Sequence, residues 1–406
     1  MTVPPTAPDG RLARRNVFIL SGGQALALSG ATLVMAVSAL AGTVLAPKPW
    51  MVTLPLALQF LATMIATIPA SLLMGRIGRR PGFMLGQVIG VAGALTACVS
   101  LLQGWFWGFA AGSVLMGVHN SFWQYFRFAA ADAADEAFRP RAIAYVMAGG
   151  LVAAILGPEL AKATRGLLDP VPFAGSYLAV AALSIASVVL LSFLRIPGPA
   201  PKTEGPRASG RPLGEIMRQP RFIVAALAAM IGYGVMNLVM VATPLAMAAC
   251  SFEFSDAAFV IQWHVVGMFL PSFFTGTLIK RFGVLQVILA GALLNGAAMA
   301  INLSGQDLEH FWFGLVLLGL GWNFMFIGGT TLLTETYRPE ERSKAQAAND
   351  FLVFTTVAAS SFLSGAVQDA AGWDAINAAM SLPVLAAFAA VVWLMLRDRR
   401  QRKAAA

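Results

Sequence analysis

Residues 222–250 read FIVAALAAMIGYGVMNLVMVATPLAMAAC and residues 256–280 read DAAFVIQWHVVGMFLPSFFTGTLIK, with the polar turn SFEFS between them. Each stretch is long enough to cross a bilayer as a helix, which needs about 20 mostly apolar residues. Because the turn between them is short, the two stretches predict neighbouring membrane helices in a compact bundle.

The composition of the whole chain agrees with that prediction. Of 406 residues, 58% are hydrophobic and only 12% are charged, whereas charged residues make up about a quarter of a soluble domain. The two cysteines, Cys98 and Cys250, are too few for a disulfide framework and have no metal-binding spacing. The first hydrophobic segment is interrupted by polar residues and too long for a signal peptide, so we expect it to be the first membrane helix.

Hydrophobic stretches of spanning length recur along the chain in two sets of six. They cover residues 16–44, 50–74, 82–102, 105–128, 142–164 and 174–194, then 221–247, 256–279, 284–303, 311–333, 345–367 and 375–396. The sequence therefore predicts an all-α integral membrane protein with 12 transmembrane helices. Its expected domains are an N-terminal six-helix half (1–195), a cytoplasmic linker (196–220) rich in Pro, Gly and charge, and a C-terminal six-helix half (221–406).

The basic residues predict the orientation of these helices. If twelve helices are drawn, 25 of the 28 Lys and Arg residues fall on one side, and only Lys48, Lys162 and Arg165 fall on the other. By the positive-inside rule both termini and the linker are cytoplasmic. The net charge of +9 is thus explained by membrane topology, and we expect no nucleic-acid partner.

The two halves also repeat each other. PASLLMGRIGRRPG at residues 69–82 corresponds to PSFFTGTLIKRFG at 271–283, and DEAFRPRAIAY at 135–145 corresponds to TETYRPEERSKAQ at 334–346. Similar loops at equivalent places indicate parallel repeats, and transporters built in this way bind their substrate near the bilayer midplane.

Four residues in the opening pair of segments form a candidate metal site. Met236 and Met240 on segment 7, and His264 and Met268 on segment 8, each have i,i+4 spacing and so share one helix face. Counted from the turn, the two pairs lie at similar depths, on the order of 15–20 Å into the helices. Thioethers with an imidazole form a soft, neutral ligand set that suits Cu(I). The alternative is ordinary packing, since methionine is a common filler of apolar helices.

The six-plus-six plan and the basic turns resemble the major facilitator superfamily across essentially the whole chain. Its 2–3 turn usually reads G-x-x-x-D-R-x-G-R-R, and Arg76, Gly78, Arg79 and Arg80 match it. Ser71 and Gly75 replace the glycine and the aspartate. The resemblance implies a gating role for Arg76 and Arg79, and the missing acid places the family's charge latch in question.

Within that superfamily, MxxxM followed by HxxxM resembles the CcoA-like copper importers. This resemblance implies an alternating-access importer of the bacterial inner membrane that delivers copper for the assembly of cbb3-type cytochrome oxidase. It implies Met236, Met240, His264 and Met268 as the binding residues, copper as the substrate and no prosthetic group. The expected partners are the copper ion and the lipid bilayer, and the expected state is a monomer. Similar members without the motif carry riboflavin or other organic solutes, which defines the alternative function.

Three further residues are auxiliary metal candidates. His119, in segment 4, is either a second metal stop or a histidine hydrogen-bonded to a neighbouring helix. Met247 and Cys250 lie at the outer end of segment 7, above the main site, and would supply soft ligands there or simply pack.

Two acids are candidates for coupling or gating, because acids in membrane segments are costly and often functional. Glu159 has Lys162 as its expected partner at i+3. Asp350 is interpreted either as a proton-coupling residue or as the partner of Arg342 or Lys344.

The sequence contains no Walker loop, nucleophile elbow or HExxH motif, so we do not expect an enzyme. The competing transport hypothesis is an organic-solute carrier, either a riboflavin importer or a drug/proton antiporter, in which Trp123, Trp322 and Phe324 would stack on a planar solute. A membrane sensor that transports nothing would leave the six-plus-six repeat unexplained.

Overall fold

The computed structural model describes residues 10–134, 138–196, 210–338 and 341–405, and throughout these residues the regular structure is helical. The elements in chain order are α1 (Gly10–Leu45), a short 3-10 helix (Pro49–Met51), α2 (Leu54–Ile77), α3 (Arg79–Leu102), α4 (Phe106–Trp123), α5 (Phe126–Ala133), α6 (Arg139–Thr164), α7 (Ala174–Ser192), α8 (Leu213–Met217), α9 (Pro220–Ala249), α10 (Phe254–Phe269), α11 (Ser272–Phe282), α12 (Val284–Ser304), α13 (Leu308–Leu333) and α14 (Arg342–Ala405).

Most of these helices match the predicted membrane segments. Within the described residues nine helices are long and apolar enough to cross a membrane, and ten when the bent pair α10 and α11 counts as one span. α14 counts once in that total although it contains two helices, which meet at Gly372. The φ of 75° at this residue is readily adopted by glycine and interrupts the helix there. The predicted all-α membrane fold is confirmed, while the orientation of the termini stays a prediction.

The helices group into two compact units. The first contains described residues 10–46, 58–134 and 138–196, and the second contains 47–57, 210–338 and 341–405. In the first unit α1 packs on α6 and α7, and α3 packs on α4 and α7, around a core that includes Phe83, Phe126 and Leu191. In the second unit α9 packs on α13 and α14, while α10 and α12 both pack on α13.

The eighth predicted segment, 256–279, is broken in the structure, which corrects the expectation of one continuous helix. α10 and α11 are bent by 42° on either side of Leu270 and Pro271. Proline has no N–H for the helical ladder, and its ring collides with the preceding turn. Asn323 of α13 stabilises the break, because its Nδ2 donates to the carbonyl of Met268 and to Ser272 Oγ, both at 2.7 Å.

Part of the predicted linker is folded. Residues 197–209 lie outside the described residues, but α8 follows them, and Ile216 within it is fully buried. Just before α8, Arg211 binds Glu341, which exposes no surface. Arg211 donates its backbone N–H (2.7 Å) and its Nε (3.0 Å) to Oε1 of Glu341, and Nη2 (2.7 Å) to Oε2. The end of the linker is therefore anchored to the loop before α14.

We expect the Arg211–Glu341 contact to make stability depend on pH. The guanidinium of Arg211, helped by the backbone N–H of Arg338, holds the pKa of the Glu341 carboxyl well below its usual range. A carboxyl whose pKa is lowered by folding adds stability above its unfolded pKa of about 4.3 and loses it as pH falls through the lowered value. The Glu341→Gln variant should therefore have a lower unfolding midpoint than the wild type at pH 7, and the two midpoints should converge as pH falls below about 4.3.

The measurement is thermal unfolding in detergent between pH 3 and pH 7. Glu309→Gln, at an exposed position in the first turn of α13, is the matched control and should follow the wild-type curve. If the unfolding midpoints of the wild type and Glu341→Gln changed with pH in parallel, the charge of Glu341 would make no contribution to stability through Arg211.

Candidate functional site

The four predicted metal ligands are all buried in the second unit. Met236 and Met240 lie on α9, and His264 and Met268 lie on α10, with exposed fractions of 2%, 4%, 0% and 8%. α9 packs chiefly on α13 and α14, whereas α10 packs chiefly on α13. Both the metal-site and the packing hypotheses predict burial, so burial does not distinguish them. The hydrogen-bond partners of His264 are more informative.

His264 has one engaged ring nitrogen and one that has no partner. Its Nδ1 lies 2.7 Å from the carbonyl oxygen of Leu315 on α13. A carbonyl only accepts, so Nδ1 carries the proton and Nε2 has a free lone pair. That Nε2 is buried and has no hydrogen-bond partner among the described residues. A fixed Nδ1–H and an open Nε2 allow His264 to bind a metal ion or to accept a hydrogen bond from an organic solute.

Charged or thiolate ligands are not gathered around the buried methionines. Within the described residues no three or more His, Cys, Asp and Glu side chains are grouped so that they could hold a metal ion. A copper site in this unit would therefore depend on thioethers and on the single imidazole of His264.

Two of the three auxiliary candidates have hydrogen-bond partners within the protein. Met247 is fully buried, and Cys250 donates its thiol to Oε1 of Gln306 at 3.1 Å. Nδ1 of His119 lies 3.0 Å from the carbonyl oxygen of Gly86 on α3. His119 is thus hydrogen-bonded to a neighbouring helix, which is one of the two roles considered from the sequence.

The candidate coupling residues are Glu159 on α6 and Asp350 on α14. Glu159 forms the predicted ion pair with Lys162, with 2.5 Å between Oε1 and Nζ. Asp350 is exposed and accepts a hydrogen bond from Asn349. In the 2–3 turn Arg76 is exposed, while Arg79 pairs with Asp132 at the end of α5.

A group of aromatic rings lies around Trp322 in the second unit, and we call it the aromatic cluster. The rings of Trp322 and Phe326 are stacked, with centroids 5.2 Å apart and an interplanar angle of 9°. Tyr233 of α9 meets both rings edge-on, at 5.5 Å and 5.4 Å. Phe269 lies 6.2 Å from Trp322, and Phe354 of α14 lies 6.4 Å from Tyr233.

The sequence prediction found only part of this cluster. Trp322 and Phe326 stack because residues four apart lie on one face of a helix. Phe324, which we named from the sequence, is two positions on and therefore about 200° around the same helix. Trp123, in the first unit, donates its Nε1 to Asn120 at 3.0 Å. The i,i+4 spacing of Trp322 and Phe326 is the feature of the sequence that predicts these two rings on one helix face.

Small residues bring the cluster's helices together. A Cβ on Gly232 would lie 2.9 Å from the Cβ of Met325 on α13, and one on Gly234 would lie 2.7 Å from Thr356 on α14. Tyr233 lies between these two glycines, so its ring is placed where three helices approach one another closely.

The cluster combines stacking surface with one unused hydrogen-bond donor. Trp322 is 8% exposed and lies near the middle of α13, while Nε1 of its indole is buried and has no partner among the described residues. Buried tryptophan N–H groups usually find a partner. An orphan donor beside stacked rings, at mid-depth in a membrane helix, is suited to a planar solute with a hydrogen-bond acceptor at its edge.

Comparison with known proteins agrees with the fold. The chain matches the family described as Major Facilitator Superfamily over residues 17–262 and 225–406. It is 43% identical over 91% of its length to the riboflavin transporter RfnT of Brucella anthropi, 93% of which is covered. It is also 28% identical to the uncharacterized MFS-type transporter YddS of Bacillus subtilis, over 81% of this chain and 80% of that protein. This chain is therefore a member of the major facilitator superfamily and a multi-pass membrane transporter, not an enzyme.

Solved structures show the same fold at low sequence identity. The nucleoside transporter NupG superposes with a TM-score of 0.71 at 14% identity, covering 94% of this chain and 99% of that one. An auto-inhibited peptide transporter of the POT family gives a TM-score of 0.67 at 13% identity, covering 95% and 97%.

Proposed function

We propose that this transporter carries a planar organic solute and that riboflavin is the first substrate to test. The observation that carries the proposal is the 43% identity with a riboflavin transporter over 91% of the chain. This supports the organic-solute alternative of the sequence analysis in preference to copper import. The bacterial inner membrane is the proposed location.

The aromatic cluster supports the same substrate class. The ring system of riboflavin is flat and has carbonyl oxygens at one edge. Stacked and edge-on aromatic pairs contribute about 0.5–1.5 kcal/mol beyond the area they bury. The indole N–H of Trp322 would donate to a carbonyl at the solute edge, and pockets of this kind fix orientation with a few polar groups among apolar ones.

Copper remains the second candidate because of one specific feature. Nε2 of His264 is buried, open and held in the ligand tautomer by Leu315, in a unit that also buries three candidate thioethers. Delivery of copper to oxidase assembly depends on the family resemblance alone. Drug/proton antiport is the remaining alternative within the superfamily.

Uptake by cells expressing this chain separates the two substrates. We expect the wild type to let a riboflavin-auxotrophic bacterium grow on low external riboflavin and to accumulate labelled riboflavin, with copper content equal to that of vector controls. The Met236→Leu/Met240→Leu double variant keeps the side-chain volume and removes both sulfur atoms. It should retain most riboflavin uptake. Copper accumulation by the wild type that is lost in the double variant, without riboflavin uptake, would overturn the proposal.

A further inference from the structure

The first unit contains a small, partly open cavity lined by residues of α1, α2, α4 and α7. Its volume is about 20 Å³, which is enough for a water molecule and far too small for an organic solute. Four polar side chains line it, namely Gln59, His119, Asn120 and Ser184, among apolar residues that include Val34 and Met116. This volume fits a water molecule or a proton.

His119 is held in a defined position beside the cavity. A Cβ on Gly90 would lie 2.8 Å from Nδ1 of His119, so the ring occupies the space that this glycine leaves open. Because Nδ1 meets the carbonyl of Gly86 at 3.0 Å, Nδ1 carries the proton in the neutral ring. Nε2 is then the basic nitrogen available to the cavity.

The side chain of Gln59 supplies a hydrogen-bond acceptor for a proton on Nε2 of His119. Its side chain is 4% exposed, and Oε1 is buried without a partner among the described residues. Leaving a buried acceptor unsatisfied costs about 1–3 kcal/mol. A neutral His119 Nε2 and Gln59 Oε1 are both acceptors, so neither can satisfy the other until a proton or a bridging water lies between them.

Charged groups do not face this cavity, since its lining includes no Asp, Glu, Lys or Arg. On the surrounding helices the arginines lie at helix ends, as Arg76 does on α2 and Arg79 on α3. Titratable groups on the elements around the cavity include Tyr125, six residues after His119, Tyr177, seven residues before Ser184 on α7, and Cys98, eight residues after Gly90 on α3. At 1.5 Å per residue these separations along the chain are roughly 9–12 Å.

Buried acids are also scarce in the described residues. Glu341 is the one Asp or Glu that is buried there, and it precedes α14 in the second unit, where Arg211 binds it. His119 and His264 are the buried histidines. Imidazole is the side chain that ordinarily changes charge between pH 5 and 8, and His119 is the histidine that opens onto a water-sized polar cavity.

We propose that His119 is a proton-binding site that couples proton entry to solute uptake, an inference that rests on the proposed carrier function. A proton from water on one side of the membrane adds to Nε2. The imidazolium then donates from Nδ1 to Gly86 and from Nε2 to Gln59, directly or through a water in the cavity. The proton leaves from Nε2 to water on the other side. His119 is then neutral again, and the protein is chemically unchanged at the end of the cycle.

The experiment uses the full-length protein in liposomes with riboflavin as the solute. His119→Asn keeps a donor near the position of Nδ1 and removes the nitrogen that titrates. We expect it to lose at least about tenfold of the accumulation driven by an inward proton gradient, which corresponds to 1.4 kcal/mol, and to keep riboflavin exchange without a gradient. His310→Asn, at the outer start of α13, is the matched control and should behave as the wild type.

Gln59→Leu provides a second test that keeps the histidine. It removes the acceptor for the protonated ring, so the pH profile of uptake should move to lower pH. The inference would be overturned if His119→Asn accumulated as much riboflavin as the wild type under the proton gradient. It would also be overturned if accumulation by the wild type did not depend on the gradient. In both cases the carrier function would stand. Absence of any riboflavin exchange by the wild type would instead overturn the proposed function.

Discussion

Replacing Trp322 by Leu should raise the riboflavin concentration for half-maximal uptake by about 5- to 140-fold. The change removes a stacking surface worth about 0.5–1.5 kcal/mol and an indole donor worth about 0.5–1.5 kcal/mol, and each 1.4 kcal/mol is tenfold in affinity. Trp322→Phe keeps a ring and removes only the N–H, so it should show the smaller part of the effect, about fivefold.

The measurement is the concentration dependence of riboflavin uptake in cells with equal amounts of each variant in the membrane. Trp393→Leu is the matched control, because Trp393 lies on α14 and is 52% exposed. It should leave the half-saturating concentration unchanged. Equal effects of Trp322→Leu and Trp393→Leu would place the solute away from the aromatic cluster, and an unchanged value for Trp322→Phe would exclude its N–H as a contact.

Replacing Asn323 by Ala should destabilise the second unit by about 2–4 kcal/mol. The side chain is fully buried, donates to Met268 and Ser272, and accepts from Thr275 at 2.7 Å. The Met268 carbonyl lies at the break before Pro271, so alanine would leave it unsatisfied in an apolar environment, and each such group costs about 1–3 kcal/mol. The loss should appear as a lower unfolding midpoint in detergent.

Asn295→Ala is the matched control for this prediction. Asn295 is also fully buried, but its amide donates only to the sulfur of Met325, and its Oδ1 has no partner among the described residues. Both variants remove the same atoms, so the difference between them reports the hydrogen bonds at the helix break. Similar midpoints for the two variants would show that Asn323 does not hold the break between α10 and α11.

Several features of the fold could be predicted from the sequence because they depend on local properties. Segment length and apolar content determine which stretches can span a bilayer, and the repeated turns at residues 69–82 and 271–283 indicate two similar halves. The Glu159–Lys162 pair was predictable for the same reason, since both residues lie on one turn of α6.

The candidate site was less predictable because its members come from different helices. The MxxxM and HxxxM patterns correctly placed four side chains in the buried interior, but periodicity does not report what each side chain meets. Tyr233 joins Trp322 only because Gly232 and Gly234 let α9 approach its neighbours. Phe326, not Phe324, stacks on Trp322, because residues four apart lie on one face of a helix.

The sequence by itself determined that this protein is an all-helical membrane protein, because the length and hydrophobicity of each segment are properties of short stretches of chain. Tertiary structure alone decided which nitrogen of His119 and of His264 carries the proton, since the carbonyls of Gly86 and Leu315 come from neighbouring helices. It also decided that Pro271 marks a 42° bend held by Asn323. These features depend on contacts between residues 33 to 55 positions apart, and such contacts form only when the helices pack.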